Sequence, residues 1–363
     1  MNIKNLVLII VLLFITKNIN AGEPGSASCT FLKLPVGARA AAMGGAVVGL
    51  SNDVYSTFWN PAGLKGIDGP QFGLMYNASF ENIYNQYIAY AHPFKIGRIG
   101  IGIKYLGAGK IQGYDAYGIE TSNVEYYDLA GSISYQRNLS DFLSGGVTLK
   151  YITERLDTKN ASTVGMDLGF LYETKNMPFV IGGSMNNLGP KIKFIEEKYP
   201  IPLLFDLGVG YIDEFLGKEF LLELDGVLPS DNDLFIRTGM EINIEDLILL
   251  RLGYNNGYSS GNGLNAGFGL GLDGVNLDYA YRGFGDLGKS HRVSITVDFK
   301  KIGESKKEDI EYKTNVLMRE GRELYEKGEY AESILKFNDI LKLNPENKEA
   351  LEWLKKAGNK IDE

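Results

Sequence analysis

The side chains able to do chemistry are few and scattered. Two histidines, His92 and His291, and a single cysteine, Cys29, are all the chain has of those types. None stands at metal-ligand spacing. Ser290-His291 is a neighbouring pair of the kind a hydrolase uses as nucleophile and base. It falls where a loop meets a strand, however, and adjacent strand residues point to opposite faces. Glycines at Gly100, Gly102, Gly208, Gly210 and Gly267 to Gly271 superficially resemble a nucleotide-binding loop, but no helix follows them. Nucleophile elbows are absent too. The sequence supports no catalytic site, no metal site and no cofactor, and the expectation is a protein that is not an enzyme.

What remains is a set of charges at alternating positions. Lys104, Lys150, Arg237, Arg251, Arg282 and Arg292 stand against Asp167, Asp206, Glu223, Asp225, Glu241, Asp278 and Asp298, and Glu223 and Arg237 fall on neighbouring strands. Two readings are open. Paired charges could fill a closed interior, since an unpaired buried charge is costly, or the charges could line a pathway for a polar solute. The near balance of signs favours the network.

The elements that carry these charges are strands. In Gly263–Phe299, Leu264, Ala266, Phe268, Leu270 and Leu272 share one face, while Asn265, Gly267, Gly269 and Gly271 share the other. After Asp273-Gly274, a tight-hairpin signal, Val275, Leu277, Tyr279 and Tyr281 continue the pattern, as do Val293, Ile295, Val297 and Phe299. Such alternation predicts about fourteen strands, most near the length a tilted transmembrane strand needs. They are expected near 71–80, 84–92, 97–107, 126–137, 145–154, 163–173, 178–186, 202–212, 218–226, 233–243, 247–255, 263–272, 274–282 and 291–300. Phe299 then reads as the aromatic end of the last strand.

Loop lengths decide between a sandwich and a barrel. Connections after odd-numbered strands are mostly long, as in Ala108–Glu125, Leu156–Ser162 and Asn187–Ile201, and those after even-numbered strands are short. Outer-membrane barrels have this asymmetry, and tyrosines such as Tyr105, Tyr172, Tyr211 and Tyr281 recur at the strand ends where headgroups begin. The fold class is therefore all-β: an antiparallel transmembrane β-barrel over 71–300. A charge on the apolar face, such as Leu270→Arg, is expected to be damaging, and Gly269→Ser on the other face mild.

Residues 1–21 read as a secretory signal peptide: Lys4, an apolar core from Leu6 to Ile15, and small residues ending at Ala21. Export permits disulfides, but one cysteine cannot form an internal one. Ser26 stands where a lipoprotein signal carries a large apolar residue, which weighs against lipidation of Cys29. A net charge of −8, without any basic block, argues against nucleic acid as a partner. The 45 glycines and 22 tyrosines suit a barrel set in outer-membrane lipid.

Both ends of the chain depart from this pattern. Residues 22–70 are not barrel-like: Gly37, Arg39, Met43 and Gly44 belong to a small-residue stretch that could form a short helix, stopped by Trp59-Asn60-Pro61. This segment is either an ordinary lead-in or a plug-like segment tucked into the lumen. Beyond the strands, residues 301–311 form a charged linker, and helical periodicity occupies 312–363. Gly321, Leu324, Tyr330, Phe337 and Pro345 match the spacing of one tetratricopeptide (TPR) repeat, followed by a capping helix. A single repeat cannot bury its own face, so this small helical hairpin domain is expected to offer those residues as a docking face for a protein partner.

Residues 31–64, FLKLPVGARAAAMGGAVVGLSNDVYSTFWNPAGL, resemble the N-terminal signature of the PorV/PorQ proteins. Asn187-Leu188-Gly189-Pro190-Lys191-Ile192 and the block from Tyr279 to Arg292 are similar to later blocks of that family. The resemblance implies a fourteen-stranded outer-membrane barrel of a diderm bacterium, FadL-like in superfamily, with the Asn60-Pro61-Ala62 segment in or under the lumen and both termini periplasmic. It also implies a role in protein secretion or envelope assembly. FadL-like transport of a hydrophobic small molecule, held in the barrel, stays open beside it, as does a purely structural anchor for the repeat.

Overall fold

The computed structural model describes residues 25–174, 177–215, 217–245 and 247–361. Residues 1–21, the expected signal peptide, lie outside the described residues. Two compact units divide at Asp298 and Phe299.

The first unit is a closed barrel of fourteen antiparallel strands. Its strands are β1 (Gln71–Ala78), β2 (Tyr84–Phe94), β3 (Gly97–Gly107), β4 (Tyr126–Asn138), β5 (Leu143–Leu156), β6 (Lys159–Glu173) and β7 (Phe179–Leu188). After a small separate hairpin of β8 (Ile192–Phe194) and β9 (Glu197–Tyr199), the wall continues with β10 (Leu204–Phe215), β11 (Lys218–Pro229), β12 (Phe235–Ile244), β13 (Ile248–Asn255), β14 (Leu264–Leu272), β15 (Val275–Gly283) and β16 (Lys289–Asp298). Every neighbour pair is antiparallel, and β1 closes the ring on β16. All fourteen expected strands are present.

Alternation has the consequence read from it. Leu264, Phe268, Leu270 and Leu272 face outwards and are exposed, whereas Asn265, Gly269 and Gly271 between them are buried. Ile99, Ile101 and Ile103, and Leu222 and Leu224, are exposed in the same way. An outer face made of exposed aliphatic residues is stable only against lipid. Aromatic clusters mark both rims: Tyr84, Tyr105 and Tyr127 stack at one, while Phe142–Tyr172 and Phe179–Tyr211 meet at the other. Among the described residues no helix is long and apolar enough to cross a membrane. The Asp273-Gly274 turn joins β14 to β15 with φ of 46° and 87°, the doubly left-handed geometry of a tight hairpin.

Three expectations about connections need correction. The stretch Leu156–Ser162 is not a long loop, because β5 and β6 pair as far as Leu156 opposite Lys159. The last strand ends at Asp298, not at residue 300. Its partners end there too: β1 begins at Gln71, just after Pro70, and β15 begins after the Gly274 turn. With no ladder to join, Phe299 opens a helix instead of closing a strand. The charged stretch 301–311 is likewise helical and no linker, since it belongs to α3 (Phe299–Glu326), an element we number after the two short N-terminal helices below. Its Lys and Glu residues are good helix formers, and Lys300–Glu304 and Asp309–Lys313 are paired four residues apart.

The second unit packs α3 against α4 (Tyr330–Leu343) and α4 against α5 (Lys348–Ile361). Met318, Phe337, Ile340 and Ala350 form its core, and the Phe337 and Trp353 rings stack. Gly321 and Phe337 are both buried here. A side chain at Gly321 would meet the Phe337 ring at 2.7 Å. These two expected docking residues are thus packing residues, because close approach of α3 and α4 consumes them. Leu324 and Tyr330 are half-buried and Pro345 is exposed. The large apolar side chains left outside are others, among them Leu335 and Leu351.

Candidate functional site

Most residues between Ala27 and Ile67 are buried against inward-facing residues of the strands, and their local chemistry explains how they stay there. A short helix α1 (Ala38–Ala42) is built from small residues, so its backbone reaches the wall closely. A second, α2 (Ser56–Trp59), leads to Asn60, whose Oδ1 accepts a hydrogen bond from the Ala62 amide with Pro61 at the first helical position after it. Gly44, at φ of 70°, lies against β13 where that strand has Gly253. A Cβ on Gly253 would sit 2.1 Å from the Gly44 nitrogen, so only glycine permits this contact.

Inward-facing side chains hold the segment from several sides. The Glu223 carboxylate accepts from the Gly49 amide at 2.6 Å, and Asp225 accepts from the Val47 and Val48 amides at 3.0 and 3.3 Å. Asn255 donates to the Gly44 carbonyl at 3.1 Å. Asn60 donates to the Val48 carbonyl at 2.9 Å and to the Phe170 carbonyl of β6 at 3.1 Å. Tyr55 donates to the Leu74 and Ile295 carbonyls of β1 and β16. The Ala38 amide donates to Ser294, and Trp59 donates to Val36 within the segment. Gly37, Met43, Trp59, Asn60 and Pro61 are all buried.

The lumen charges fall into two groups. Arg251 bridges Glu241 and Asp278, the latter at 2.6 Å, and Arg39 of α1 adds a bidentate contact to Glu241 at 2.9 and 3.0 Å. Burial disfavours the Arg39 charge, but the Glu241 carboxylate outweighs it and raises the guanidinium above its ordinary value. Lys150 pairs with Asp167 at 2.7 Å. Arg237 lies 3.8 Å from Asp206, not beside Glu223, which is already used by the Gly49 amide.

Three cations stand apart. Lys104 meets the Leu34 carbonyl at 2.6 Å and the Phe58 ring at 4.2 Å, and neither Arg282 nor Arg292 has a carboxylate within ion-pair distance among the described residues. Gly269→Ser is no longer expected to be mild, since its Cβ would lie 2.5 Å from Asp278 and 2.9 Å from Arg251.

Alternation alone could not single out Asn85, Asn255 and Ser294, although a polar residue at each lumen-facing strand position was the available signal; Tyr55, in the N-terminal segment, carries no such signal. Cys29 is buried beneath the Glu154 carboxylate, which accepts from its amide at 2.8 Å. Burial first, then that carboxylate, push the thiol well above its ordinary range. His291 is exposed and accompanies Tyr279, and Ser290 donates instead to Asn77, so no Ser/His pair forms. Among the described residues no cluster is suited to holding a metal ion.

A closed barrel with an apolar outer belt, a polar interior and an inserted N-terminal segment defines an outer-membrane β-barrel protein. Residues 23–220 match the sequence model of the family described as type IX secretion system protein PorV, more than half of the chain, so the chain belongs to the PorV family. A comparison with curated protein sequences gives no match. Among solved structures, the chain is similar to the Pseudomonas putida toluene transporter TodX, at 13% identity and a TM-score of 0.53. That likeness covers 73% of this chain and 98% of the other. The monoaromatic hydrocarbon channel CymD is similar at 13% identity and a TM-score of 0.52, covering 73% and 97%. The Ralstonia pickettii toluene transporter TbuX matches at 13% and 0.50, covering 72% and 97%. These likenesses are of fold.

Proposed function

We propose that this chain is a non-enzymatic outer-membrane barrel that acts in protein secretion or envelope assembly. Both termini are periplasmic in this reading, and the C-terminal helices serve as a TPR-like module that docks a protein partner. The observation that carries it is the inserted segment: residues 37–60 are hydrogen-bonded to strands on several sides of the lumen, so the interior is occupied by the chain itself. A barrel filled in this way is a platform more readily than a conduit. The family description, which concerns type IX secretion, points the same way. Exposed Leu335 and Leu351 give the helical unit apolar surface for a partner.

The test is crosslinking in intact envelopes. The full chain should capture a secretion component or cargo, and Leu335→Glu with Leu351→Glu should lose it while the barrel still assembles. Equal capture by both would contradict the docking role.

One observation favours the second reading, uptake of a hydrophobic small molecule. On the outer, lipid-facing side of β6, β7 and β10 an open apolar groove of about 320 Å³ is lined by Leu168, Phe170, Met185, Phe205 and Leu207. The β6–β7 register also shifts between Met166 and Leu168. The hydrocarbon transporters named above share the fold. Saturable binding of an aromatic hydrocarbon that is weakened in Phe170→Ala, with the barrel still assembled, would support this role over the first.

A further inference from the structure

At the end of the barrel where β1 meets β2 and β15 meets β16, a cavity of about 210 Å³ lies between the wall and the N-terminal segment. Arg282 and Arg292 both line it, one from β15 and one from β16. Arg292 is only 9% exposed. Neither has a carboxylate partner among the described residues, and the Nε of each lacks any hydrogen-bond acceptor. Arg282 instead lies over the faces of Tyr258 and Phe284, its Cζ 3.1 and 4.0 Å from the ring centroids. Stacking orients the guanidinium plane, and its Nε is left without an acceptor.

The polar lining is unsatisfied elsewhere as well. Asn85 is 1% exposed, and neither its amide nitrogen nor its oxygen has a partner. The remaining lining includes Leu34, Ile83 and Leu106, which are apolar.

Arg292 is buried and Arg282 half-buried, and holding both in the lumen without an anion is costly. Arg251, on the same wall, has two carboxylates. We propose that Arg282 and Arg292 form a binding site for a phosphate group, with the Asn85 amide as a further donor. Two guanidiniums supply two positive charges, which a phosphate dianion neutralises and a single carboxylate does not. Their planar forks match phosphate oxygens in bidentate geometry. The apolar part of the cavity accommodates the first carbons of a substituent, so the group comes either from free phosphate or from a phosphate monoester at the head of a larger molecule.

The test is isothermal titration of the full chain in detergent at pH 8, with inorganic phosphate in one arm and butyl phosphate in the other. Saturable binding is expected in the parent, weakened about tenfold or more in Arg282→Gln and in Arg292→Gln, since each removes a charge-assisted pair. Retained barrel folding is checked by heat-modifiable gel mobility. Should a glutamine variant fail to fold, Arg292→Lys provides the second reading: it keeps the charge and loses the fork, and binding should fall part of the way. Tighter binding of butyl phosphate assigns the site to a phosphate-bearing larger molecule; equal affinities assign it to the free ion. Absence of saturable binding in both arms, or glutamine variants that bind as the parent does, would overturn the proposal.

Discussion

Two regions of the lumen use the same residue types to opposite ends. Around α1, the cations Arg39 and Arg251 and the carboxylates Glu241 and Asp278 saturate one another. Close by, Glu223 and Asp225 saturate backbone amides of the inserted segment. Around Arg282 and Arg292, Arg282 is held by ring faces and neither cation finds a counter-charge among the described residues. In the first region charge fastens the chain to itself; in the second it is left available. Position on a strand face therefore does not determine what a lumen charge does. The partners it meets do, and in the first region residues 37–60 supply some of them, Arg39 and the Val47 to Gly49 amides, beside the wall's own Arg251, Glu241 and Asp278.

The sharpest way to break this comparison is to remove a shared cation. Arg251→Ala leaves Glu241 with Arg39 alone and Asp278 without a partner, and should cost about 3–5 kcal/mol in a folding titration into lipid. Next comes the outer face of the neighbouring strand. Leu270→Arg should cost about 2–4 kcal/mol if its depth is near the midplane, and folding yields equal to the parent would overturn the assignment of faces. Asp225→Ala strands two amides of the segment, which should cost about 1–3 kcal/mol and expose residues near Val47 to protease in the assembled barrel. Arg292→Gln, by contrast, should leave stability unchanged or slightly improved, since it removes a buried charge that has no partner. The smallest effect is chemical. Cys29, buried and next to Glu154, should be alkylated far more slowly than a free thiol at pH 8.5, and should react fully only after denaturation.

The wall of this molecule was legible in its sequence, and the contents of the lumen only partly. Period-two alternation placed every barrel strand because lipid imposes one uniform demand on alternate residues, as Leu264 to Leu272 illustrate. No such uniform rule governs the interior. The register of β12 sets Arg237 opposite Asp225, yet the salt bridge of Arg237 goes to Asp206, and local pattern holds no trace of that. Similarly, Gly269 looks like vacant space on a strand diagram, although the Arg251–Asp278 pair fills it. Charge runs misled in the tail for a related reason. Lys and Glu side chains suit an exposed helix as well as a linker, so 300–309 could be assigned only from the backbone. Gly321 and Phe337 were found by spacing, but spacing reports which residues matter to a helical pair, not whether they face each other or a partner.

Occlusion of the lumen by the inserted segment is the central property of this barrel. Current across a planar bilayer containing the full chain tests this most directly. A silent parent, with channel activity appearing in Asp225→Ala or when Gly253→Val forces the segment off β13, is the expected result. Steady, pore-sized conductance in the parent, unchanged by either substitution, would contradict it.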